Sequence, residues 1–371
     1  MTNESDTYSV RAERGLQQKS QQTLEFDKIL LRLAQYTGFE AGRELALGLQ
    51  PAYHQEEIER RQAATAEARV CLRERPDLGT GDARDIRQAV HQAGLDGVLE
   101  AEILLQTRTT LAVARAIRVA TTRLPDLPTL AELATRIVPL PHLEEEIGRS
   151  IDPRGEVVDA ASPLLRRIRA ELKVAQSRIV DRLNGLIASS TGRTALQDPI
   201  VTLREGRYVV PVKADYRGQV PGVVHGTSAS GATLFIEPLA TVELNNQWRE
   251  LQIGEQREVQ RILRSLSAQV GAAGERIAQS IDALAEIDLA FAKARYAEAL
   301  DAVQPSFTKD ELDLPAARHP LLTGDVVPID LHLDAEIRCV VITGPNTGGK
   351  TVALKTAGLL TLMALAGLAV P

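Results

Sequence analysis

Eight consecutive residues near the end of the chain have the types and spacing to hold a nucleotide: Gly344, Pro345, Asn346, Thr347, Gly348, Gly349, Lys350 and Thr351. In this Gly-x4-Gly-Lys-Thr pattern, glycines let backbone N–H groups turn inward around phosphate oxygens, and a following helix adds positive potential at its N-terminus. Lys350 then reaches the β- and γ-phosphates, and the Thr351 hydroxyl ligates Mg²⁺, so the implied cofactors are ATP and Mg²⁺. Such a loop needs a buried parallel strand before it and a helix after it. Arg338-Cys339-Val340-Val341-Ile342-Thr343 is apolar and β-branched as that strand requires, and Val352, Leu354, Ala357 and Leu360 give the helix its spacing. Hydrolysis asks for more: an acidic strand end for Mg²⁺ and a group that positions water. Only 20 residues follow Thr351. No catalytic residue is therefore expected in the chain, and its last segment reads as an incomplete nucleotide-binding domain.

The other chemistry-bearing residue types form no such pattern. The six histidines have no ligand spacing, and Cys71 and Cys339 lie far apart with no metal or redox motif, which fits a reducing cytoplasm. Arg318-His319-Pro320, just before the nucleotide-binding segment, reads as a loop. The N-terminus lacks a signal peptide and no stretch is apolar enough to span a membrane.

A length of 371 residues exceeds one hydrophobic core. Aromatics at 3% with abundant Leu, Ala, Arg, Glu and Gln favour long helices. The expected fold class is mainly α with a small β insert, followed by the start of an α/β P-loop domain. A polar, disordered tail is expected over 1–22, giving way to a helical core over 23–160, opened by the stripe Leu24, Ile29, Leu30, Leu33 and Ala34. A lever and clamp follow over 161–304, and the P-loop domain occupies 305–371.

Leu165, Ile168, Leu172, Ala175, Ile179, Leu183 and Leu186 form the seam of a coiled-coil arm over 162–191, with Ser162 as N-cap and Pro163 in the first turn. A second arm over 239–303 runs through Val259, Ile262, Leu266, Val270, Ala273, Ile277, Ile281, Leu284 and Ile287, with bending expected at Gly254, Gly271 and Gly274. Neither arm hides its seam alone, so the two are expected to pack antiparallel. An arm of about 45 residues would reach about 65 Å. The insert between them, 199–238, contains four β-rich runs separated by Glu205-Gly206, Gly218, Pro221-Gly222 and Gly231.

The net charge of −6 does not advertise nucleic-acid binding, yet Ile151 to Val220 carries 12 Lys/Arg against 8 Asp/Glu. Arg204, Arg207, Lys213 and Arg217 on the insert are the candidate phosphate contacts. A solvated helix face is the alternative reading of the same island. Trp248 reads as packing at an arm junction.

Five segments carry a family resemblance. Thr343 to Gly358 and Arg318-His-Pro-Leu-Leu322 resemble the MutS superfamily. Leu203-Arg-Glu-Gly-Arg-Tyr-Val-Val-Pro-Val-Lys-Ala-Asp-Tyr-Arg-Gly218, His225 to Pro238 and Thr23-Leu-Glu-Phe-Asp-Lys-Ile29 look more particularly like the bacterial type-two MutS paralogues. The resemblance implies an ATPase working as a homodimer, with a helical lever, a clamp and a C-terminal Smr nuclease domain. It implies partners among branched DNA, with suppression of recombination, and collided ribosomes and their rRNA, with rescue by subunit splitting. The acidic strand, the signature segment and the nuclease residues of that family are not in this sequence. Two other readings stand beside this one. A chromosome-condensing type of ATPase arm would place its P-loop before the coiled coil, the opposite of the order here. A structural or dimerisation fragment would bind no nucleotide.

Overall fold

A computed structural model describes residues 17–343 and 349–371. The described residues are mainly helical, with two small antiparallel sheets among them. It divides into two compact units: one contains the residues through Leu95, Gln106–Glu144 and Val270–Pro371, and the other Asp96–Leu105 and Glu145–Gln269. Among the described residues no helix is long and apolar enough to cross a membrane.

The first unit is built around the Gly274–Ala299 helix. Apolar residues cover most of its circumference, and alanines at 283, 285, 290, 292, 294 and 297 are all buried. Small side chains let neighbouring backbones approach closely, and a helix apolar nearly all round must be enclosed. Glu40–Leu47, Gln55–Glu74, Arg87–Gly94 and Pro128–Thr135 pack against it. The expected N-terminal stripe is part of this core: Ile29, Leu30, Leu33 and Ala34 are buried, and Leu24 packs beside them.

One polar interaction fixes how the early helices seat. Asp288 is fully buried and accepts hydrogen bonds from the Gly38 N–H at 2.9 and 3.0 Å and from the Thr80 hydroxyl. Burial raises its pKa, against the lowering effect of these hydrogen bonds. Gly42, on the Glu40–Leu47 helix, lies so close that an added Cβ would sit 2.1 Å from Asp288 Oδ2.

In the second unit, Ser162 caps the Pro163–Ala188 helix as expected, accepting from the backbone N–H groups of Leu164 and Leu165, with Pro163 in the first turn. The helix stops at Ala188, earlier than Thr191-Gly192, because Ser189 starts a new short helix, Ser190–Ala195, by capping Gly192 N–H. The returning helix, Leu239–Ala272, begins at the anticipated residue. Ser162 Oγ donates to Glu258 Oε1 at 2.6 Å and Arg169 Nε to Glu255 Oε1 at 2.7 Å. Ascending numbers on one helix meet descending numbers on the other, so these helices run antiparallel.

Between them lies a four-stranded antiparallel sheet, β1 (Thr202–Arg204), β2 (Arg207–Lys213), β3 (Gly222–Thr227) and β4 (Thr233–Pro238), in the order β1-β2-β4-β3. Glu205 and Gly206, with φ of 47° and 76°, make the two-residue turn between β1 and β2. Trp248 packs edge-on against Tyr208 with ring centroids 4.9 Å apart. The buried Asn245 amide brackets Tyr208, accepting from its N–H at 3.0 Å and donating to its carbonyl at 3.1 Å.

Three expectations are corrected. Residues 17–22 do not belong to a disordered tail, because 17–23 is helical. The bend expected at Gly271 and Gly274 is a full break, so the second arm does not run to residue 303 as one element. Its helix ends at Ala272 and restarts at Gly274, and Ile277, Ile281, Leu284 and Ile287 belong to the buried helix of the first unit. A similar spacing serves both a seam and a buried helix, so periodicity did not mark the change. Among the described residues the longest unbroken helix is therefore 34 residues, about 51 Å, not 65 Å. Arg338–Thr343 is also not a buried strand: it has no regular structure and is exposed, with Val341 at 76%. A parallel strand needs paired neighbours and covered faces. The nearby strands β5 (Leu312–Ala317) and β6 (Ile329–Leu333) pair antiparallel with each other instead.

Gly42→Ala should destabilise the protein by about 2 kcal/mol, because its Cβ meets a fixed buried carboxylate. Gly81, whose added Cβ meets nothing within 4 Å, is the control: Gly81→Ala should stay within about 0.5 kcal/mol in the same urea titration.

Candidate functional site

Of the eight loop residues, Gly344, Pro345, Asn346, Thr347 and Gly348 lie outside the described residues. Gly349 adopts a left-handed φ of 78° and is the N-cap of the Lys350–Leu365 helix. Lys350 and Thr351 occupy its first turn. A left-handed residue immediately before a helix is a natural glycine position, and the helix N-terminus directs N–H groups toward whatever the preceding loop holds.

Thr351, Val352 and Lys355 line a cavity of about 500 Å³ with Glu25, Lys28, Arg32, His319, Leu321 and Leu322. His319 is thereby brought beside the Lys350–Leu365 helix from the Arg318-His319-Pro320 segment, which is a loop as expected. Glu25 bridges Lys28 and Lys355, the latter at 3.0 Å. Hydrogen bonds from Lys28 and then Lys355 hold its carboxyl at about 2. Arg32 donates to the Pro320 carbonyl at 2.7 Å, which ties the His319 loop to the Phe26–Leu33 helix. Burial pushes His319 below its ordinary value, with the charges of Lys355 and Arg32 acting in the same direction against Glu25. Lys28, Arg32 and Lys355 against Glu25 leave a surplus of two positive charges around the cavity, an arrangement suited to an anionic ligand.

The opposite end of the same helix is anchored. Carbonyls 364 to 368 each accept a hydrogen bond: Ala364 and Leu368 from Gln62 Nε2 at 2.9 and 3.0 Å, and Leu365 from Ala52 N–H at 3.0 Å. Ala366 accepts from Lys293 Nζ at 2.7 Å and Gly367 from the Thr65 hydroxyl at 2.6 Å. Gly367 has φ of 80°, and an added Cβ would lie 2.5 Å from Arg61 Cβ. Val370 then pairs with Val303 in both directions at 2.9 Å. Lys293 is fully buried; desolvation, aided by Arg61, lowers its pKa to about 7. The sequence held no local sign of this role, because the lysine is one of several charged residues on its helix and its partners lie far away along the chain.

On the insert, the four proposed phosphate contacts have different environments. Arg204 is exposed and lies over the Phe235 ring, 4.3 Å from its centroid. Arg207 donates to Glu237 Oε1 at 2.9 Å. Lys213 donates to the Thr194 carbonyl at 3.2 Å, and Arg217 is exposed on the Ala214–Gln219 turn. Glu237 is almost wholly buried and also meets His225 Nε2 at 2.6 Å. Arg207 and His225 thus converge on one carboxylate, a grouping that only the strand register discloses.

A further cluster joins Glu311, Asp313 and His332 on the exposed β5–β6 hairpin. His332 faces Asp313 at 3.2 Å and Asp334 at 3.1 Å. These hydrogen bonds, Asp334 first, raise its pKa. With Asp313 at Nδ1 and Asp334 at Nε2, the imidazole links the two strands to the turn that follows them.

No family model matches the chain. The chain is 48% identical over 358 residues to the protein named Endonuclease MutS2 of Pelotomaculum thermopropionicum, a match covering 96% of this chain and 46% of that protein. It is 45% identical over 357 residues to the Endonuclease MutS2 of Symbiobacterium thermophilum, covering 96% and 45%. Against the protein of that name from Geobacillus sp. strain WCH70 it is 43% identical over 354 residues, covering 94% and 45%. The chain belongs to the bacterial type-two MutS family. It spans about half the length of the curated relatives it matches.

Lys293 supplies a test of the anchored helix end. The unfolded amine binds its proton below 10.5, whereas the folded one does so only below about 7. Between those values the unfolded state holds more protons, so stability rises with pH. The difference in unfolding free energy between the wild type and Lys293→Met should therefore shift toward the wild type by a few kcal/mol from about pH 7 to about pH 10. The lost Ala366 hydrogen bond is common to both conditions and leaves that slope untouched.

Proposed function

We propose that the chain carries the helical core, lever, clamp and P-loop of a type-two MutS ATPase whose nucleotide state governs its grip on nucleic acid. Gly344, Pro345, Asn346, Thr347, Gly348, Gly349, Lys350 and Thr351 hold ATP, with Mg²⁺ on the Thr351 hydroxyl. Arg204 and Arg217 face the nucleic acid at the tip, and Arg207 and Lys213 contribute charge beside them. The partner class is branched DNA, collided ribosomes, or both, and the working form is a cytoplasmic homodimer. The observation that carries the nucleotide reading is the cavity at Thr351, with its surplus of two positive charges at a helix N-terminus. The relatives' shared name, Endonuclease MutS2, supports the nucleic-acid reading.

A fluorescent ATP analogue with Mg²⁺ tests this directly. The wild-type chain should bind it saturably, and Lys350→Ala should weaken binding by about tenfold to a hundredfold through loss of a charged hydrogen bond to phosphate. Equal weak binding by both proteins would contradict the proposal and favour a structural or dimerisation fragment.

A further inference from the structure

The outward face of the Leu239–Ala272 helix has an unusual charge pattern. Between Leu251 and Ala272 its exposed residues are Ile253, Gln256, Arg257, Gln260, Arg261, Arg264, Ser265, Ala268 and Gln269. None is acidic. The two acids in this stretch turn the other way: Glu255 pairs with Arg169, and the buried Glu258 accepts from Ser162 and Arg261. Ile253, Gln256, Arg257, Gln260, Arg261 and Arg264 stand around a shallow groove of about 490 Å³.

The individual arginines differ in their freedom. Arg261 is held by Glu258 at 2.7 and 2.8 Å. Among the described residues Arg257 and Arg264 make no ion pair or hydrogen bond, although the chain as a whole carries more acids than bases. A face that only solvates a helix usually mixes both signs, with stabilising pairs at i,i+3 and i,i+4. Here the acids have been placed on the inward side, which leaves the outward side uniformly positive.

We propose that this Arg/Gln face, from Ile253 to Arg264, is a contact surface for the sugar–phosphate backbone of nucleic acid, additional to the tip residues. The inference rests on the nucleic-acid reading given above. Arg257 and Arg264 are two helical turns apart, about 10.5 Å, which spans about three phosphates of one strand at 3.4 Å per charge along a duplex axis. Guanidinium groups match phosphate oxygens bidentately, and the intervening glutamine amides add donors to phosphate or sugar oxygens. A protein partner is the less suitable occupant. The face has no aromatic residue, and its single large apolar side chain, Ile253, offers little for a buried anchor.

The test measures binding of the full chain to a linear DNA duplex, a four-way DNA junction and an RNA duplex over a range of salt concentrations. It compares the wild type, Arg257→Gln/Arg264→Gln, and the control Arg108→Gln/Arg123→Gln, which removes the same charge from the other unit. Unchanged melting temperatures keep folding out of the comparison. The expected result is about tenfold weaker binding by the first variant, with a salt slope shallower by about two, and near-wild-type binding by the control. The arm that shows the larger loss identifies DNA or RNA as the source of the phosphates. Wild-type binding that both variants retain equally would overturn the stripe while leaving the nucleic-acid reading intact. Failure of the wild type to bind any of the three probes would remove that reading and the inference with it. Binding of polyglutamate through Arg257 and Arg264, with no nucleic acid bound, would assign the face to an acidic protein and also overturn it.

Discussion

The amine of Lys293, buried against the Ala366 carbonyl, is the interaction on which the candidate nucleotide site depends. A helix end leaves carbonyls without intrahelical partners, and burying them unpaired is costly. Here Lys293, Gln62, Thr65 and the Ala52 N–H together satisfy carbonyls 364 to 368. The C-terminal end of the P-loop helix is thereby fixed to the Gln55–Glu74 and Gly274–Ala299 helices. Its N-terminal end borders the Glu25–His319 cavity through Thr351, Val352 and Lys355. One end is structural and the other is available for chemistry.

The same device recurs in the second unit and around Asp288. Asn245 brackets Tyr208, and Glu237 gathers Arg207 and His225, so a buried polar group fixes a β-strand at a defined register. Asp288 does the same for the backbone at Gly38. In each case a buried polar side chain has partners from distant sequence positions, and losing either side leaves an unsatisfied group in a low-dielectric interior. Such groups set unique geometry more firmly than apolar contacts of similar size.

Signals carried by neighbouring residues were legible in the sequence. Ser162-Pro163 gave the helix start, Glu205-Gly206 the hairpin, Leu239 the return of the chain, and Gly349-Lys350 the junction of loop and helix. Signals that depend on the third dimension were not. Lys293, Asp288 and Glu237 look like ordinary charged residues until their partners, up to hundreds of positions away, are brought together. The arm past Ala273 was misread because heptad-like spacing does not distinguish a seam from an enclosed helix. Arg338–Thr343 was misread for a different reason: its β-branched composition suits a buried strand, but composition supplies neither a pairing neighbour nor a covering helix. At the site, the P-loop pattern was visible from spacing alone, whereas the roles of Glu25, Lys28, Arg32 and Lys355 around it were not.

Native-state hydrogen exchange tests the anchored-helix account most directly, by comparing the amides of Ala366, Leu368 and Val370 with those of Ile281–Phe291 and Val340–Ile342. The account predicts that the first group opens with the buried Gly274–Ala299 helix, at a free energy near that of global unfolding. Exchange of these amides as fast as in the exposed Val340–Ile342 segment would contradict it, because the P-loop helix would then have no fixed end.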